Sequence, residues 1–136
     1  MPKSPPQPTL HIGEVAERVG LSLRTVRYYE EQGLFAPAGR TDGGFRLYTD
    51  EQVHRLLLIK QMKPLGFTVA QMCELLAARD ELEAPDPAVR ETARARIDAF
   101  AADAAARCEH LRDQLNRAEE FARQLATHAL PQRTPT

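Results

Sequence analysis

Residues 21–30 read Leu-Ser-Leu-Arg-Thr-Val-Arg-Tyr-Tyr-Glu, and this stretch predicts a short helix with two different faces. Residues that are three, four or seven positions apart lie on the same side of a helix. One side carries Leu23, Val26 and Glu30. The other side carries Arg24, Arg27, Tyr28 and Glu31. Guanidinium and phenol groups suit phosphates and guanine edges, so the second face is a candidate DNA-binding surface. A solvated polar face is the alternative.

A second short helix is predicted immediately before this stretch. Its apolar positions recur at helical spacing. They are Ile12, Val15, Ala16 and Val19. Gly20 stands where helices commonly end, and Ser22 can cap the helix that follows. Two short helices joined by a tight turn with glycine are typical of the helix-turn-helix motif.

A hairpin is predicted after the two helices. Gly43 and Gly44 provide the positive φ that a tight turn needs, and the alternating residues around them suit two short strands. Arg40 and Arg46 flank the turn. A basic β-ribbon of this kind beside the second helix predicts a winged helix-turn-helix.

Three motifs occur in order within the first 78 residues. Residues 12–16 read IGEVA, residues 24–34 read RTVRYYEEQGL, and residues 40–48 read RTDGGFRLY. Together they resemble the DNA-binding domain of the MerR family of bacterial transcription regulators, and the likeness continues from LGFT at residues 65–68 to Leu76. A spaced set of motifs is far more specific than one short pattern. Beyond residue 78 the resemblance is one of architecture only.

The resemblance implies a homodimer that binds a pseudo-palindromic promoter site and distorts the DNA so that RNA polymerase can engage it. It also implies DNA contacts at the positions that match the family's motifs. These residues are Arg24, Thr25, Arg27, Tyr28, Arg40, Phe45, Arg46, Tyr48 and Lys60. Phe45 stands where the family more often has tyrosine. A solvated lysine is the alternative for Lys60, and Tyr29 could belong either to the core or to the contacts.

Two more helices complete the predicted head, which spans residues 11–78. Thr49 and Thr68 are each followed three residues later by glutamine, which is the capping-box pattern at the start of a helix. Pro64 interrupts the first of these helices because it lacks a backbone N–H. Residues 79–87 form an acidic segment with two prolines, and we interpret them as a linker.

A long dimerisation helix is predicted for residues 88–127. Residues 88–126 contain neither Gly nor Pro, and 39 helical residues would extend roughly 58 Å. Apolar and small residues in this helix repeat at alternating spacings of four and three, as in a coiled-coil heptad. This seam comprises Ile97, Ala101, Ala104, Cys108, Leu111, Leu115, Ala118, Ala122 and Leu125.

The length of the seam predicts a second copy of the chain. A head that ends near residue 78 cannot bury all of it, although a helix folded back on its own head is the alternative. The spacing does not distinguish parallel from antiparallel pairing, whereas the resemblance implies an antiparallel coiled coil. The predicted fold class is therefore mostly α, with a winged helix-turn-helix head followed by a long dimerisation helix.

Composition narrows the class of protein. The net charge is −1, but residues 1–63 carry nine basic and seven acidic side chains, and the remainder carries nine and twelve. This asymmetry places the cations near the candidate DNA-binding face. Two distant cysteines and no apolar N-terminal run predict a cytoplasmic protein without a membrane span. Residues 1–10 and 128–136 are predicted to be a disordered lead and tail.

The sequence identifies no effector. The chain ends near the end of the coil, so we expect no separate drug-binding domain. A thiolate metal site needs several soft ligands, and Cys108 has none near it in sequence, so we expect no metal; we also expect no cofactor. Cys73 and Cys108 are interpreted as small apolar residues, with a single-thiol sensor as the alternative. Scattered histidines and the absence of a catalytic motif predict that the protein is not an enzyme. A repressor and a coiled-coil interaction protein without ligand sensing remain alternative functions.

Overall fold

The computed structural model describes residues 7–129, which are mostly helical with one small two-stranded wing. The helices are α1 (Ile12–Val19), α2 (Leu23–Glu31), α3 (Asp50–Met62), α4 (Val69–Glu81) and α5 (Pro87–Thr127), with one 3-10 turn at Lys63–Leu65. The strands are β1 (Gly39–Arg40) and β2 (Arg46–Leu47). The predicted winged head followed by a long helix is confirmed. Residues 1–6 of the predicted lead and 130–136 of the predicted tail lie outside the described residues.

The turn between α1 and α2 follows from two residues. Gly20 adopts a φ of 70° and its N–H points back to the last carbonyls of α1, which ends that helix. Ser22 then accepts the N–H of Thr25 at 3.1 Å and begins α2. The predicted helix-turn-helix is therefore formed by a left-handed glycine and a capping serine.

The core of the head lies between the inner faces of α1, α2 and α3. Its most buried members there are Val15, Val19, Val26, Tyr29, Leu56 and Ile59, each at most 3% exposed. Tyr29 therefore belongs to the core, which settles the question that the sequence left open. Because the buried residues of α1 and α2 follow the predicted helical spacing, the opposite faces of both helices are left to solvent.

The wing is a tight antiparallel hairpin. Arg40 lies opposite Arg46 in the register of β1 and β2. The hydroxyl of Thr41 accepts the N–H of Phe45 at 3.0 Å, and Gly44 adopts a φ of 84°. The predicted turn is present, but of the two glycines expected to adopt a positive φ only Gly44 does so.

The base of the wing is joined to the start of the described chain. The N–H of Tyr48 donates to the carbonyl of Leu10 at 2.8 Å, and the N–H of Leu10 donates back to Tyr48 at 3.0 Å. Leu10 is 7% exposed, although the sequence analysis assigned it to the lead. Leu10 is a single apolar residue and therefore gives no periodic signal in the sequence. Its backbone partner, Tyr48, lies far along the chain.

Salt bridges join α3 to α4 and α4 to the first turns of α5. The pairs are Arg55–Asp80, Glu51–Arg79 and Glu81–Arg96, with nitrogen–oxygen distances of 2.7, 2.5 and 3.0 Å. Helix α4 continues to Glu81 and α5 begins at Pro87, so the connection between them is shorter than residues 79–87. Proline at the first position of α5 suits a helix start, because no N–H is needed there.

Helix α5 is continuous over 41 residues, close to the predicted bounds. The chain divides into two compact units between Ile97 and Asp98. Four large apolar side chains of the second unit are strongly exposed, whereas Phe100 is partly buried. They are Leu111 at 43%, Leu115 at 56%, Phe121 at 56% and Leu125 at 47%. Within residues 7–129, no helix combines the length and the hydropathy that crossing a membrane requires.

Candidate nucleic-acid interface

The outer face of α2 presents the first group of candidate contacts. Val26 and Tyr29 are buried, so the opposite face is turned outward. Arg24, Arg27 and Tyr28 lie on that face and are exposed, Tyr28 to 47%. Neither guanidinium forms a salt bridge with another residue among those the structure describes. Both remain available for an anionic partner.

Thr25 begins the same face but is only half exposed. Its hydroxyl accepts the hydroxyl proton of Ser22 at 2.9 Å, so the cap of α2 holds it in place. Of the four α2 residues predicted to contact DNA, Thr25 is the one already engaged within its own turn.

The wing presents the second group of candidate contacts. Phe45, next to the turn, is 69% exposed, which is unusual for a large apolar side chain. Arg40 donates from Nη1 to the carbonyl of Gly44 at 3.1 Å, so its guanidinium lies across the turn. Arg46 leaves 52% of its side chain exposed. The wing therefore presents one aromatic ring and two cations to solvent.

Helix α2, the wing and the start of α1 surround an open cleft of about 530 Å³. Its basic lining residues are Arg27, Arg40 and Arg46, with His11 beside them. Glu30 and Glu31 also line it, so the cleft is not uniformly basic. Three guanidinium groups around one depression can donate hydrogen bonds to successive phosphates of a nucleic-acid backbone.

One buried carboxylate connects α2 to the wing. The side chain of Glu30 is only 10% exposed, and Arg46 donates to it from Nη1 at 2.7 Å. Tyr48 donates its phenol proton to the other carboxylate oxygen at 2.6 Å. Burial, and then the hydrogen bond to Glu30 and the charge of Glu30, raise the pKa of Tyr48 to about 12, although Arg46 acts in the opposite direction. The phenol therefore stays protonated and serves as a donor at neutral pH.

Two predicted contacts form hydrogen bonds to other residues of the head, although Tyr48 is buried and Lys60 is exposed. Tyr48 is 0% exposed, so we place it beneath the interface rather than among the residues that touch DNA. Lys60 donates from Nζ to the carbonyl of Val19 at 2.8 Å. A cation at that position satisfies a terminal carbonyl of α1 and complements the negative end of the helix dipole.

The role of Glu30 is not apparent from the sequence alone. One signal was present in the sequence: Glu30 lies on the same helix face as the apolar Val26. A charge on an apolar face needs a partner, but the sequence does not show which residue that partner is. The partners lie 16 and 18 residues away, and no helical or strand spacing connects them to Glu30.

The cysteines and the other metal-binding residue types are dispersed. Within residues 7–129, no group of three or more His, Cys, Asp or Glu side chains is placed to hold a metal ion. Cys73 is half buried and Cys108 is exposed on α5.

Comparison with known proteins gives consistent matches. The chain matches the family models "MerR HTH family regulatory protein" over residues 10–79 and "MerR, DNA binding" over residues 53–118. The mercuric resistance operon regulatory protein of Bacillus cereus is 44% identical over 73 residues, covering 54% of this chain and 55% of that protein. An uncharacterized HTH-type transcriptional regulator of Pseudomonas aeruginosa is 32% identical over 113 residues, covering 83% of this chain and 75% of that protein.

Among solved structures, a protein assigned to the MerR family of transcriptional regulators, from Listeria monocytogenes, matches with a TM-score of 0.69 and 26% identity. The match covers 89% of each chain. The aligned region spans about half the length of the first curated relatives that the chain matches.

Proposed function

This chain belongs to the MerR family of helix-turn-helix regulatory proteins, and we propose that it binds promoter DNA as a homodimer and regulates transcription by distorting that DNA. The observation that carries the proposal is the exposed row of Arg24, Arg27 and Tyr28 beside a wing with two further arginines. An α-helix fits the major groove of B-DNA, and an adjacent ribbon can reach the flanking backbone.

We assign different kinds of contact to the helix and to the wing. Arg24 and Arg27 can donate to phosphates or, in pairs of hydrogen bonds, to O6 and N7 of guanine. On the wing, Arg40 and Arg46 contact phosphates rather than bases, so they do not read the DNA sequence and instead position the head on the DNA backbone. Phe45 lacks the hydroxyl that a tyrosine would offer a phosphate, so its contact is an apolar one to the sugar.

We propose that α5 joins two copies of the chain. Its exposed leucines lie on one heptad seam and would leave water if a second α5 packed against it. The antiparallel arrangement rests on family membership. Such a dimer presents two copies of α2, the recognition helix, and its site is then a pseudo-palindrome whose half-sites lie about one helical turn of DNA apart.

The proposed regulatory step is mechanical. Bending and untwisting a promoter changes how RNA polymerase meets its two recognition elements, and the energy of that deformation depends on sequence. We propose no catalysis, no cofactor and no named effector, and we expect the protein to act in the cytoplasm, where promoter DNA lies. Whether the distortion activates or represses depends on where the site falls within the promoter.

The proposal is tested by measuring the affinity of the purified chain for a duplex from its own upstream region at two salt concentrations. A protein that uses several phosphate contacts binds markedly less tightly at the higher salt. We expect Arg27→Ala to weaken specific binding by about 5- to 150-fold, since a base contact contributes about 1–3 kcal/mol. If Arg27 contacts phosphate instead, the salt slope falls by about one.

The matched control is Arg112→Ala. This change removes the same charge from α5, where Arg112 forms only a surface pair with Glu109 at 2.6 Å among the described residues. It should leave the affinity within about twofold. The proposal fails if the chain prefers its upstream duplex no more than a scrambled one of equal length. It also fails if the two variants lose affinity equally.

A further inference from the structure

The wing and the recognition helix share one carboxylate. Glu30 lies on α2, whereas both of its partners belong to β2 or to the residue directly after it. Its Oε2 accepts Nη1 of Arg46 at 2.7 Å, and its Oε1 accepts the hydroxyl of Tyr48 at 2.6 Å. Each oxygen therefore holds a different residue of the wing, and both bonds are short, as expected for a charged acceptor.

The two partners of Glu30 have different surroundings. Tyr48 is fully buried, its ring lies 5.8 Å from the ring of Phe35, and its backbone pairs with Leu10. Arg46 lines the open cleft and remains half exposed. Tyr48 thus fixes the carboxylate to the core, and the carboxylate in turn fixes a cation at the surface.

We propose that Glu30 is a positioning residue for DNA binding, which sets the wing against α2 and orients Arg46 toward the DNA backbone without touching DNA itself. The inference rests on the proposed DNA-binding function. Among the residues that the structure describes, Glu30 accepts a hydrogen bond only from Nη1 of Arg46, so other N–H groups of this five-donor guanidinium can donate to a phosphate. A half-buried, oriented guanidinium loses less rotamer entropy on binding than a free one.

The adjacent Glu31 makes this proposal testable. It lines the same cleft and carries the same charge, but it is exposed and makes no side-chain hydrogen bond to any residue from 7 to 129. A carboxylate beside DNA repels phosphates, so removing it should strengthen binding. If Glu30 only repels phosphates, Glu30→Gln and Glu31→Gln both increase the affinity for DNA. If Glu30 positions the wing, Glu30→Gln lowers that affinity and Glu31→Gln increases it.

The experiment compares the wild type, Glu30→Gln, Glu31→Gln and Tyr48→Phe by fluorescence anisotropy with one labelled promoter duplex. We expect Glu31→Gln to bind about two- to threefold more tightly, as loss of a screened surface charge allows. Glu30→Gln should bind about tenfold more weakly, because a wing in place for one tenth of the time lowers the apparent affinity by that fraction. Tyr48→Phe keeps the bond between Glu30 and Arg46, so its affinity should fall between those of the wild type and Glu30→Gln.

A second measurement does not depend on DNA. Backbone order parameters from nitrogen-15 relaxation are recorded for the wing amides of Thr41 and Gly44 in the free protein. We expect values near ~0.85 in the wild type and in Glu31→Gln, falling toward ~0.6 in Glu30→Gln. Tyr48→Phe provides the same comparison if Glu30→Gln does not fold, which circular dichroism would reveal.

The outcomes separate the two proposals. Unchanged wing order in both Glu30→Gln and Tyr48→Phe overturns the positioning role, whether or not DNA binds. Tighter DNA binding by Glu30→Gln, equal to that of Glu31→Gln, also overturns it and leaves charge repulsion as the explanation. A wild type that binds no promoter DNA refutes the proposed function, and the wing order parameters then decide whether Glu30 still orders the wing.

Discussion

Replacing Leu115 by alanine should weaken the association of two copies through α5 by about 30- to 140-fold. Leu115 lies on the predicted seam and leaves 56% of its surface exposed in the single chain. Full burial of a leucine contributes about 1.5–3 kcal/mol, so burial of that exposed fraction contributes about 1–1.5 kcal/mol. A symmetric dimer contains the side chain twice, which gives about 2–3 kcal/mol. Each 1.4 kcal/mol changes a dissociation constant about tenfold.

The assay is sedimentation velocity across a dilution series, with the dissociation constant fitted from the monomer fraction. Circular dichroism confirms that α5 keeps its helix, which alanine itself favours. Leu23→Ala is the matched control, because Leu23 is 36% exposed but lies on α2, outside the seam. It should leave the dissociation constant within about twofold of the wild-type value.

Two results would refute this reasoning. If Leu115→Ala dimerises as tightly as the wild type, the heptad seam is not the interface, even when dimers form. If the wild type stays monomeric at tens of micromolar, the exposed leucines do not pair α5 with a second copy.

Three further predictions follow from contacts in the head. The pKa of Tyr48 is raised to about 12, so its contribution to stability is complete below pH ~10 and is lost as the pH rises through 12. Denaturant titrations of the wild type and of Tyr48→Phe should therefore show a difference in unfolding free energy that shrinks by about 2 kcal/mol over that range. Lys60→Met should lower the free energy of unfolding by about 1–3 kcal/mol in the same titrations, because the carbonyl of Val19 loses a charged donor. An unchanged denaturation midpoint would mean that Lys60 is simply a solvated lysine. Gly20→Ala should lower the free energy of unfolding by about 1–3 kcal/mol, since the φ of Gly20 is 70° and the new Cβ would lie 2.9 Å from Nζ of Lys60. The control, Gly13→Ala, places its Cβ where no atom lies within 4 Å and should have little effect.

Much of the fold could be predicted because its signals are local. The spacing of Val15 and Val19 located the inner face of α1, and the capping pattern at Thr49 located the start of α3 within one residue. The absence of glycine and proline predicted α5 almost to its ends. Such features depend on residues within one or two helical turns, which a single sequence displays directly.

The candidate site was less predictable because its members are engaged across the fold. Spacing on α2 correctly placed Arg24 and Arg27 on an exposed face. It could not place Lys60 against a carbonyl 41 residues away, or Tyr48 against a carboxylate 18 residues away. Both side chains matched positions of the family motif, but a motif match gives no information on hydrogen bonds formed across the fold. Only the tertiary structure separates the residues that can reach a ligand from those that support them.

The pairing of Leu10 with Tyr48 has a practical consequence for experiments on this protein. A group attached a few residues before Leu10 stays close to the base of the wing, because each residue of chain extends at most about 3.6 Å. A purification tag or fluorescent protein fused just before Leu10 would therefore compete with DNA for the same space. Affinities measured on such a fusion would underestimate the native value. A small environment-sensitive dye attached just before Thr9 would instead report DNA binding without any label on the duplex.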